Sequence, residues 1–333
     1  MSVERIGLSV VVPLYNETAG IRATLNSIAR AVAEAGDRFD AEIVVVDDGS
    51  TDDGYAVVES HPSSVPVRLL RQENRGRFEA RRTGLDAAAS EYVLLLDAGV
   101  TLEPEALRFV AERLDDGEDV WNGHTVFAGE GPFVRFWDVV AHLAFGAYWA
   151  EPHTTRFGTA EFDLYPKGTT CFLAPRELLL AAVAAFRTAY TDSRYSNDDG
   201  PMLRSVAASR PINISPGFAY VYHPRVGLGP FARHAFHRGT VFVDGHGRPE
   251  SRFFPLVVGF FPASLLAGAY AARRPLATPA LVLGLAAAAC IAARRRPRED
   301  ALSFAALAPV YALAHGAGMW RGLALAVGGR LRR

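Results

Sequence analysis

Acidic and polar side chains follow three short apolar runs of the sequence, at the points where buried strands are expected to end. They belong to Tyr15, Asn16, Glu17, Asp47, Asp48 and Asp97. Carboxylates in such places can accept hydrogen bonds from the N–H and hydroxyl groups of a ligand, and carboxylate oxygens can also hold Mg²⁺. The pattern therefore predicts a site for a polar ligand. A turn with a helix cap is the alternative interpretation of residues 47–50, because Asp, Gly and Ser favour both.

The three apolar runs have the length and composition of strands in a parallel sheet. They cover residues 8–13, 42–46 and 92–96, and each is a continuous stretch of the kind that is buried on both faces. Helix-like segments at about 19–35 and 79–89 lie between them. The order β-α-β-α-β predicts a doubly wound α/β sheet, and such sheets bind ligands beyond the carboxyl ends of their strands.

Several motifs in the first hundred residues occur in the order and spacing of a known family. They are VVPLYNE, then VVVDDGSTDD, then ENRGRFEARRTGLDAAASEYVLLLDAGV. On these motifs, residues 8–102 resemble the family 2 glycosyltransferases. The later segments YSNDDGPML and HAFHRG resemble degenerate versions of the acceptor-side motifs of that family. The resemblance implies a GT-A-like, mostly parallel sheet that binds a nucleotide sugar, and C-terminal transmembrane or interfacial helices follow it.

The resemblance implies contacts with the donor along the first two strand ends. Pro13, Tyr15 and Glu17 would border the nucleotide pocket. Asp47 and Asp48 would accept hydrogen bonds from the N–H groups of the base and from the ribose hydroxyls, as the family's nucleoside contact does. The donor expected on this basis is a UDP- or GDP-sugar.

A cluster of four arginines lies between the second and third strand ends. Its members are Arg75, Arg77, Arg81 and Arg82. The guanidinium geometry matches phosphate oxygens bidentately, and a neighbouring glycine at position 76 lets the backbone approach a ligand closely. We therefore expect Arg81, together with Arg77, to contact the diphosphate. A solvated helix face is the competing interpretation for any single arginine of the cluster.

Asp97 corresponds to the first residue of the Asp-x-Asp motif in the resembling family, which holds a divalent cation that bridges the diphosphate. The triplet here is Asp97-Ala98-Gly99, so the second carboxylate is absent from the motif. One carboxylate together with phosphates and waters can still hold Mg²⁺ or Mn²⁺. We expect the cation at Asp97. His223 is a candidate further ligand, although a lone histidine is more often structural.

An inverting transfer needs a base that deprotonates the acceptor hydroxyl. The family draws this base from an acidic pair before a helix, and the matching segment here is Asn197-Asp198-Asp199. We predict Asp199 as the base and Asp198 as the second candidate, with a helix N-cap as the alternative role. In the later segment 233–238 the Gln and Trp of the family motif are absent, and Arg238 is expected to reach the diphosphate.

The C-terminal part of the chain is basic and apolar, whereas the rest is acidic. Residues 253–333 carry a net charge of +8, which leaves −9 for the first 252 residues. Three runs without charge, at 253–272, 275–293 and 301–320, are separated by arginine clusters. Each run is long enough to cross the hydrocarbon layer of a bilayer, about 30 Å thick, as a helix. This asymmetry predicts a membrane partner rather than nucleic acid.

These patterns predict a nucleotide-sugar-binding domain at 1–250 and a membrane domain at 251–333 with two or three hydrophobic segments. The N-terminus has no signal-peptide pattern, so we expect a multi-pass protein of the cell membrane whose catalytic domain is cytoplasmic. The arginine cluster at 294–298 then lies inside, as the positive-inside rule prefers. A third full span would place the arginines of residues 330–333 outside, against that rule. A membrane segment beside the site favours a polyprenyl phosphate or a lipid-linked saccharide as acceptor.

Other functional classes lack features that they need. A dehydrogenase would need a Gly-rich turn after the first strand, and a nucleotidyltransferase a Gly-rich basic loop there; no P-loop is present either. A catalytically inactive membrane scaffold or glycan-binding protein stays open, because Gly99 breaks the metal motif. Cys171 and Cys290 are not expected to form a disulfide, since the second lies in an apolar run.

Overall fold

A computed structural model describes residues 5–331 of the chain, apart from the side chain of residue 330. The strands in this range are β1 (Ile6–Leu14), β2 (Phe39–Asp47), β3 (Val67–Arg71), β4 (Tyr92–Leu96), β5 (Val100–Leu102), β6 (Trp121–Phe127), β7 (Thr155–Phe157), β8 (Cys171–Pro175) and β9 (Ile212–Tyr222). The helices are α1 (Thr18–Glu34), α2 (Gly54–Glu59), α3 (Arg77–Ala87), α4 (Ala106–Asp115), α5 (Pro132–Ala150), α6 (Arg176–Ala185), α7 (Asp199–Ser209), α8 (Leu228–His246), α9 (Phe254–Arg273), α10 (Thr278–Ala292) and α11 (Arg298–Leu331).

The strands form one sheet in the order β3-β2-β1-β4-β8-β6-β9-β5, and β7 pairs with β9 outside this path. The first four strands are parallel, because each is joined to the next by a helical crossover. β8 runs antiparallel to β4 and to β6, whereas β6 and β9 are parallel. The predicted α/β sheet is confirmed. Its parallel part is the N-terminal half, and the later strands make the whole sheet mixed.

Both faces of the sheet are covered, as the continuous apolar runs predict. Side chains alternate along β1, so that Val10 and Val12 pack with α1 and α4 on one face, while Val11 packs with α3 and α6 on the other. A Cβ at Gly84 of α3 would overlap the side chain of Val11. Glycine at this position therefore lets α3 lie directly on β1 and sets the distance between the helix and the strand ends.

The three C-terminal helical segments are long and apolar enough to cross a membrane, judged by length and composition: Phe254–Arg273, Pro275–Ala292 and Arg298–Gly329. The first two are almost fully exposed on the protein, with 6% of each apolar window buried, whereas 33% of the third is buried. The difference arises because α11 packs along α8 and α5. Residues 332 and 333 lie outside the described part of the chain.

Close backbone contact joins α11 to α8. A Cβ at Gly239 of α8 would overlap the carbonyl group of His315, and a Cβ at Gly318 would overlap the carbonyl oxygen of Phe236. Gly322, one turn further along α11, faces the carbonyl oxygen of Thr240 in the same way. Small residues at such a spacing let two helices approach until their backbones touch.

The two ends of the α9–α10 segment both contact α5. Before α9, Arg252 Nη2 donates to the carbonyl oxygen of Ala144 at 2.9 Å. After α10, Arg296 Nη2 pairs with Asp138, and its Nη1 donates to His142 Nε2 at 2.9 Å. These α5 residues lie within two turns of one another, about 9 Å along the helix axis. The α9–α10 segment therefore leaves and re-enters the rest of the protein at the same place.

Candidate active site

A cavity of about 1710 Å³ lies where the strand ends, α5, α7, α8 and α11 meet. Most of the residues predicted to form a site line this cavity. They are Pro13, Tyr15, Glu17, Asp48, Arg77, Asp97, Asp198, Asp199, His223 and Arg238. Asp47 and Arg81 are the two predicted site residues that lie behind its wall, since their side chains are 0% and 1% exposed.

Arg81 is buried at the centre of three carboxylates. Its Nη2 lies 2.6 Å from Asp97 Oδ1, and its Nη1 lies 2.5 Å from Asp198 Oδ2 and 3.8 Å from Asp199 Oδ1. Burial lowers the pKa of Arg81, but the three carboxylates outweigh it and hold the pKa above its ordinary value. The predicted contact between Arg81 and a diphosphate stays a prediction; in this structure the guanidinium joins the two acidic motifs to each other.

Asp97 is held by groups from both halves of the chain. Besides Arg81, its carboxylate accepts a hydrogen bond from Thr170 Oγ1 at 3.1 Å and lies 3.7 Å from Arg77 Nη1. Burial raises the pKa of Asp97, but Arg81 and Arg77 together lower it by more than burial raises it. The net pKa is therefore below the ordinary value. Asp97 therefore stays ionised at the wall of the cavity. Arg77 is half exposed there and remains available to a ligand.

Asp198 and Asp199 differ sharply although they are adjacent. The side chain of Asp198 is 8% exposed and paired with Arg81, whereas that of Asp199 is 41% exposed. Asp199 accepts hydrogen bonds from the N–H of Thr169 at 3.2 Å and from its hydroxyl. Burial raises the pKa of Asp198, which Arg81 partly offsets. The Asp198 side chain makes no capping hydrogen bond to α7 although it occupies the N-cap position.

The carboxylates of the second strand end shape the loop that leads to α3. Asp48 is 3% exposed and accepts hydrogen bonds from Gln72 Nε2 at 2.7 Å, Arg75 N at 2.9 Å and Gly76 N at 2.8 Å. Asp47 accepts from the N–H of Ser50 at 3.0 Å, which is the turn that its sequence context allows. Their predicted direct contacts with base and ribose stay predictions; in this structure both carboxylates are engaged by protein groups, and Asp48 also lines the cavity.

Asn16 joins the first two strand ends, a role that the sequence did not single out. Its Oδ1 accepts from the N–H of Thr51 at 2.8 Å, and its own N–H donates to Ser50 Oγ at 3.0 Å. Its backbone φ is 50°, a left-handed value that asparagine tolerates better than most residues. Tyr15 is consequently presented to the cavity with half of its surface exposed.

The incomplete metal motif has a structural basis. Gly99 has a φ of 88°, and a Cβ there would lie 3.1 Å from Glu17 Cδ. A Cβ at Gly20 would in turn lie 2.6 Å from Gly99 Cα. Burial raises the pKa of Glu17, Arg225 lowers it and Asp52 raises it; the net pKa is above its ordinary value. The space of the second motif carboxylate is thus taken by Glu17, on a backbone that favours glycine.

The residues predicted to hold a cation do not by themselves form a metal site. In the described part of the chain, no group of three or more His, Cys, Asp or Glu side chains is placed to hold a metal ion. Asp97 already faces two arginines, and His223 is an exposed residue that follows β9. A divalent cation would therefore depend mainly on oxygens supplied by the donor.

Arginines give the cavity a strong positive field. Burial lowers the pKa of His234 to about 3, and Arg238, Arg225 and Arg77 add to the effect. The pKa of His237 is lowered to about 4, again by burial first and then by the nearby arginines. Both imidazoles are therefore neutral at physiological pH while the arginines stay charged. This combination suits a ligand with two or more negative charges.

Part of the cavity wall comes from elements that the sequence assigned elsewhere. Arg238 of α8 lies 5.0 Å above the centre of the Trp137 ring of α5. Tyr311 and His315 of α11 line the cavity beside it. Arg225, another wall residue, lies in a loop without a recognisable motif. Sequence patterns missed Tyr311, His315 and Arg225, because α11 has the composition of a membrane span and the loop has no periodicity.

The family model described as Glycosyl transferase family 2 matches residues 9–179, just over half of the chain. The chain belongs to glycosyl transferase family 2. The resemblance inferred from the strand-end motifs is thereby confirmed.

Relatives with curated names are similar over part of their length. An uncharacterized glycosyltransferase YibD of Escherichia coli (strain K12) is 35% identical over 117 residues, which cover 34% of this chain and 32% of the relative. An undecaprenyl-phosphate 4-deoxy-4-formamido-L-arabinose transferase of Pseudomonas aeruginosa is 34% identical over 116 residues, 34% of each chain. The alignments thus span about a third of each relative.

Solved structures share the fold over nearly the whole chain. S. aureus TarS 1–349 in complex with UDP-GlcNAc has a TM-score of 0.52 at 19% identity and covers 98% of this chain and 93% of its own. The mannosyltransferase PcManGT from Pyrobaculum calidifontis, in complex with GDP-Man and Mn²⁺, has a TM-score of 0.50 at 22% identity, with coverages of 99% and 87%. At such identities the likeness shows the fold alone, and it confirms the predicted GT-A-like architecture.

Proposed function

We propose that this family 2 protein transfers a sugar from a nucleotide-sugar donor to a lipid-linked or cell-envelope glycan acceptor, with inversion at the anomeric carbon. The observation that carries the proposal is the convergence, in one cavity, of an exposed carboxylate, a set of arginines and the loop between β3 and α3. The name of one relative, an undecaprenyl-phosphate sugar transferase, supports a lipid-linked acceptor. The nucleotide sugars named with the solved structures support a UDP- or GDP-sugar donor.

The donor would bind along the strand ends. The loop that Asp48 holds and the exposed ring of Tyr15 would face the nucleoside, with Pro13 and Glu17 at the border. Arg77, with Arg225 and Arg238, would neutralise the diphosphate as it leaves, since these guanidiniums are the cations that depress the pKa of His234. Arg81 would act indirectly, by fixing Asp97 and Asp198.

Asp199 is the proposed general base. It is the more exposed member of the acidic pair, and the N–H and hydroxyl of buried Thr169 orient its carboxylate. It would accept the proton of the acceptor hydroxyl while the hydroxyl oxygen attacks the anomeric carbon. Asp198, buried and paired with Arg81, would hold the start of α7 in place.

The predicted Mg²⁺ or Mn²⁺ would be held mainly by the phosphates of the donor. The Mn²⁺ named with one solved structure supports a cation, whereas the paired state of Asp97 and the conformation of Gly99 limit what the protein contributes. Turnover measured with Mg²⁺, with Mn²⁺ and with a chelator tests this directly.

The protein is proposed to lie in the cell membrane with its catalytic part in the cytoplasm. The α9–α10 segment would cross the bilayer and return, because both of its ends contact α5. α11 would stay with the catalytic part, since Tyr311 and His315 line the cavity and Arg321 lies 4.1 Å from the centre of the Tyr195 ring. Reporters fused after residue 298 and after residue 333 should both read as cytoplasmic. A reporter at 274–277 should read as external, and any other result contradicts the hairpin.

A catalytically inactive scaffold or glycan-binding protein is the second candidate function, which the loss of the second motif carboxylate at Gly99 favours. The full-length protein, purified in detergent, should be screened against UDP- and GDP-sugars for release of the nucleoside diphosphate. The transferase proposal predicts release that a lipid-linked acceptor accelerates. Binding of a nucleotide sugar without any turnover would favour the inactive protein instead.

A further inference from the structure

Two cationic side chains, those of Lys167 and Arg204, line the same cavity outside the residues proposed for the donor and the base, and exposed Arg252 lies beside them. We call Lys167, Arg204 and Arg252 the basic cluster. Arg204 Nη2 donates to the two oxygens of Asp163 at 3.2 and 3.3 Å, and Lys167 Nζ lies 3.7 Å from the same carboxylate. The backbone N–H of Arg252 donates to Asp163 at 3.4 Å. The Asp163 carboxylate thus pairs with the side chains of Lys167 and Arg204 and with the backbone of Arg252, whose guanidinium donates to the carbonyl oxygen of Ala144.

Aromatic rings hold the basic cluster in a defined arrangement. Lys167 Nζ lies 4.2 Å and the Arg204 guanidinium 4.3 Å from the centre of the Phe162 ring. Lys167 and Arg252 both lie 5.7 Å from the centre of the Phe145 ring. Cations are attracted to the faces of aromatic rings. The cluster is therefore ordered before any ligand arrives, which reduces the entropy lost on binding.

The basic cluster carries more positive charge than its own contacts neutralise. Burial lowers the pKa of Lys167 to about 8; Asp163 raises it, whereas Arg252 and Arg204 lower it. The neighbouring imidazole of His246 is neutral, because burial lowers its pKa to about 4. A purely structural link between Asp163 and α7 would need only Arg204. Bringing Lys167 and Arg252 to the same place costs electrostatic free energy, which a bound anion would recover.

The position of the basic cluster favours an anion that comes from the membrane. Arg252 lies two residues before α9, the first of the two proposed spans. Lys167 lies two residues before Thr169, which donates to the carboxylate of Asp199. Two residues of extended chain span about 7 Å. The cluster thus lies between the start of the membrane segment and the proposed base, where a phosphate carried on a lipid would be held beside Asp199.

We propose that Lys167, Arg204 and Arg252 bind the phosphate group of the lipid-linked acceptor. The bound phosphate fixes the acceptor at the mouth of the cavity, next to the general base. The identity of the lipid rests on the proposed function, whereas the presence of a phosphate site does not. Lys167 and Arg204 are binding residues for the acceptor and make no contact with the donor.

The test is equilibrium binding of short-chain polyprenyl phosphate to the full-length protein in detergent micelles, without donor. The affinity should fall about 10-fold in Lys167→Gln and in Arg204→Gln, the usual scale for one charge-assisted contact. Lys167→Arg, which keeps the charge, should bind nearly as the parent protein does. Arg113→Gln is the matched control, because Arg113 also lies over a ring, that of Phe109, and pairs with an acid, Asp116, but does not line the cavity.

Neutral polyprenol, phosphatidylglycerol and inorganic phosphate serve as comparison ligands. The parent protein should bind polyprenyl phosphate more tightly than each of them. Equal binding of polyprenol overturns the phosphate site, and equal binding of phosphatidylglycerol or inorganic phosphate overturns the acceptor assignment. Unchanged affinity in Lys167→Gln and Arg204→Gln overturns the proposal as a whole.

Turnover separates this proposal from the proposed function. If lipid phosphate binds as expected but no nucleotide sugar is consumed, the phosphate site stands and the transferase proposal fails. If sugar is transferred and Lys167→Gln has the same dependence on acceptor concentration as the parent protein, the transferase proposal stands and the phosphate site is wrong.

Discussion

At the scale of single residues, the unequal exposure of the acidic pair predicts separable roles. Asp199 has 41% of its side chain exposed in the cavity, so Asp199→Asn removes a base without a large change of shape. Turnover should fall by about 10²- to 10⁴-fold, while donor affinity stays nearly constant. Steady-state kinetics together with calorimetric titration of the donor measure the two quantities. An active Asp199→Asn would move the base outside this pair.

Asp198 is expected to act through Arg81 rather than on the acceptor. Asp198→Asn leaves the buried guanidinium with less compensating charge, so the protein should lose stability, by about 3 kcal/mol. Thermal unfolding in detergent should show a lower Tm, together with slower turnover. If Asp198→Asn is inactive at unchanged Tm while Asp199→Asn is active, Asp198 is the base.

Asp48 should matter for the nucleotide through the loop that it holds. Asp48→Ala removes three hydrogen-bond acceptor contacts from the loop between β3 and α3, two of them to backbone N–H groups. We expect UDP or GDP to bind at least about 10-fold more weakly, because the loop loses its shape. Asp52→Ala is a suitable control, since Asp52 also accepts from two backbone N–H groups but does not line the cavity. Equal affinity of Asp48→Ala and the parent protein would exclude this role.

The sequence motifs singled out Asp97 and Asp199, which line the cavity, but not the side chains that hold them. Asp97 and Asp199 are recognisable because each follows or precedes a regular element. Their partners, Thr169 and Thr170, lie in a segment without periodicity, and they reach the site only through the pairing of β4 with β8. A partner that depends on long-range strand pairing leaves no local pattern in the sequence.

At the scale of elements, the glycines between α8 and α11 control how closely these helices approach. Gly318→Ala should lower stability by about 1–3 kcal/mol, because the added methyl group overlaps the Phe236 carbonyl oxygen. Gly328→Ala is the control on the same helix, where a Cβ meets nothing within 4 Å. Alanine favours helix over glycine, so the control should be neutral or slightly stabilising. Thermal unfolding measures the Tm of the two variants, and equal Tm values would contradict the close packing of α8 and α11.

The apolar run at 301–320 predicted the start of α11 within three residues, but the helix ends eleven residues later, and the sequence did not predict its surroundings. An apolar run of helical length has the same composition whether lipid or protein covers it. The chain reveals the difference only through scattered features such as His315 and the glycines at 318 and 322, which pack against α8. The parallel sheet was easier to predict, because β1, β2 and β4 are short apolar runs that end in polar clusters.

At the scale of the whole molecule, the α9–α10 hairpin should be separable from the catalytic part. A chain in which about 12 Gly and Ser residues replace 254–293 bridges two points that both lie on α5, within reach of such a linker. It should lose membrane association in sedimentation assays yet still bind nucleotide. A chain that ends at residue 250 also loses α11, which packs on α8, and should be markedly less stable. If the hairpin-deleted chain still sediments with membranes, the anchor lies in α5, α8 or α11.

Gly99 has a consequence for how this protein can change over generations. A single substitution of Gly99 by aspartate would complete the Asp-x-Asp sequence motif. The new side chain would, however, overlap Glu17, the backbone there has a φ of 88°, and Gly20 packs against it. Such a substitution should destabilise the fold before it confers any metal affinity, unless position 17 changes first. The order in which positions 17 and 99 can change is thereby constrained.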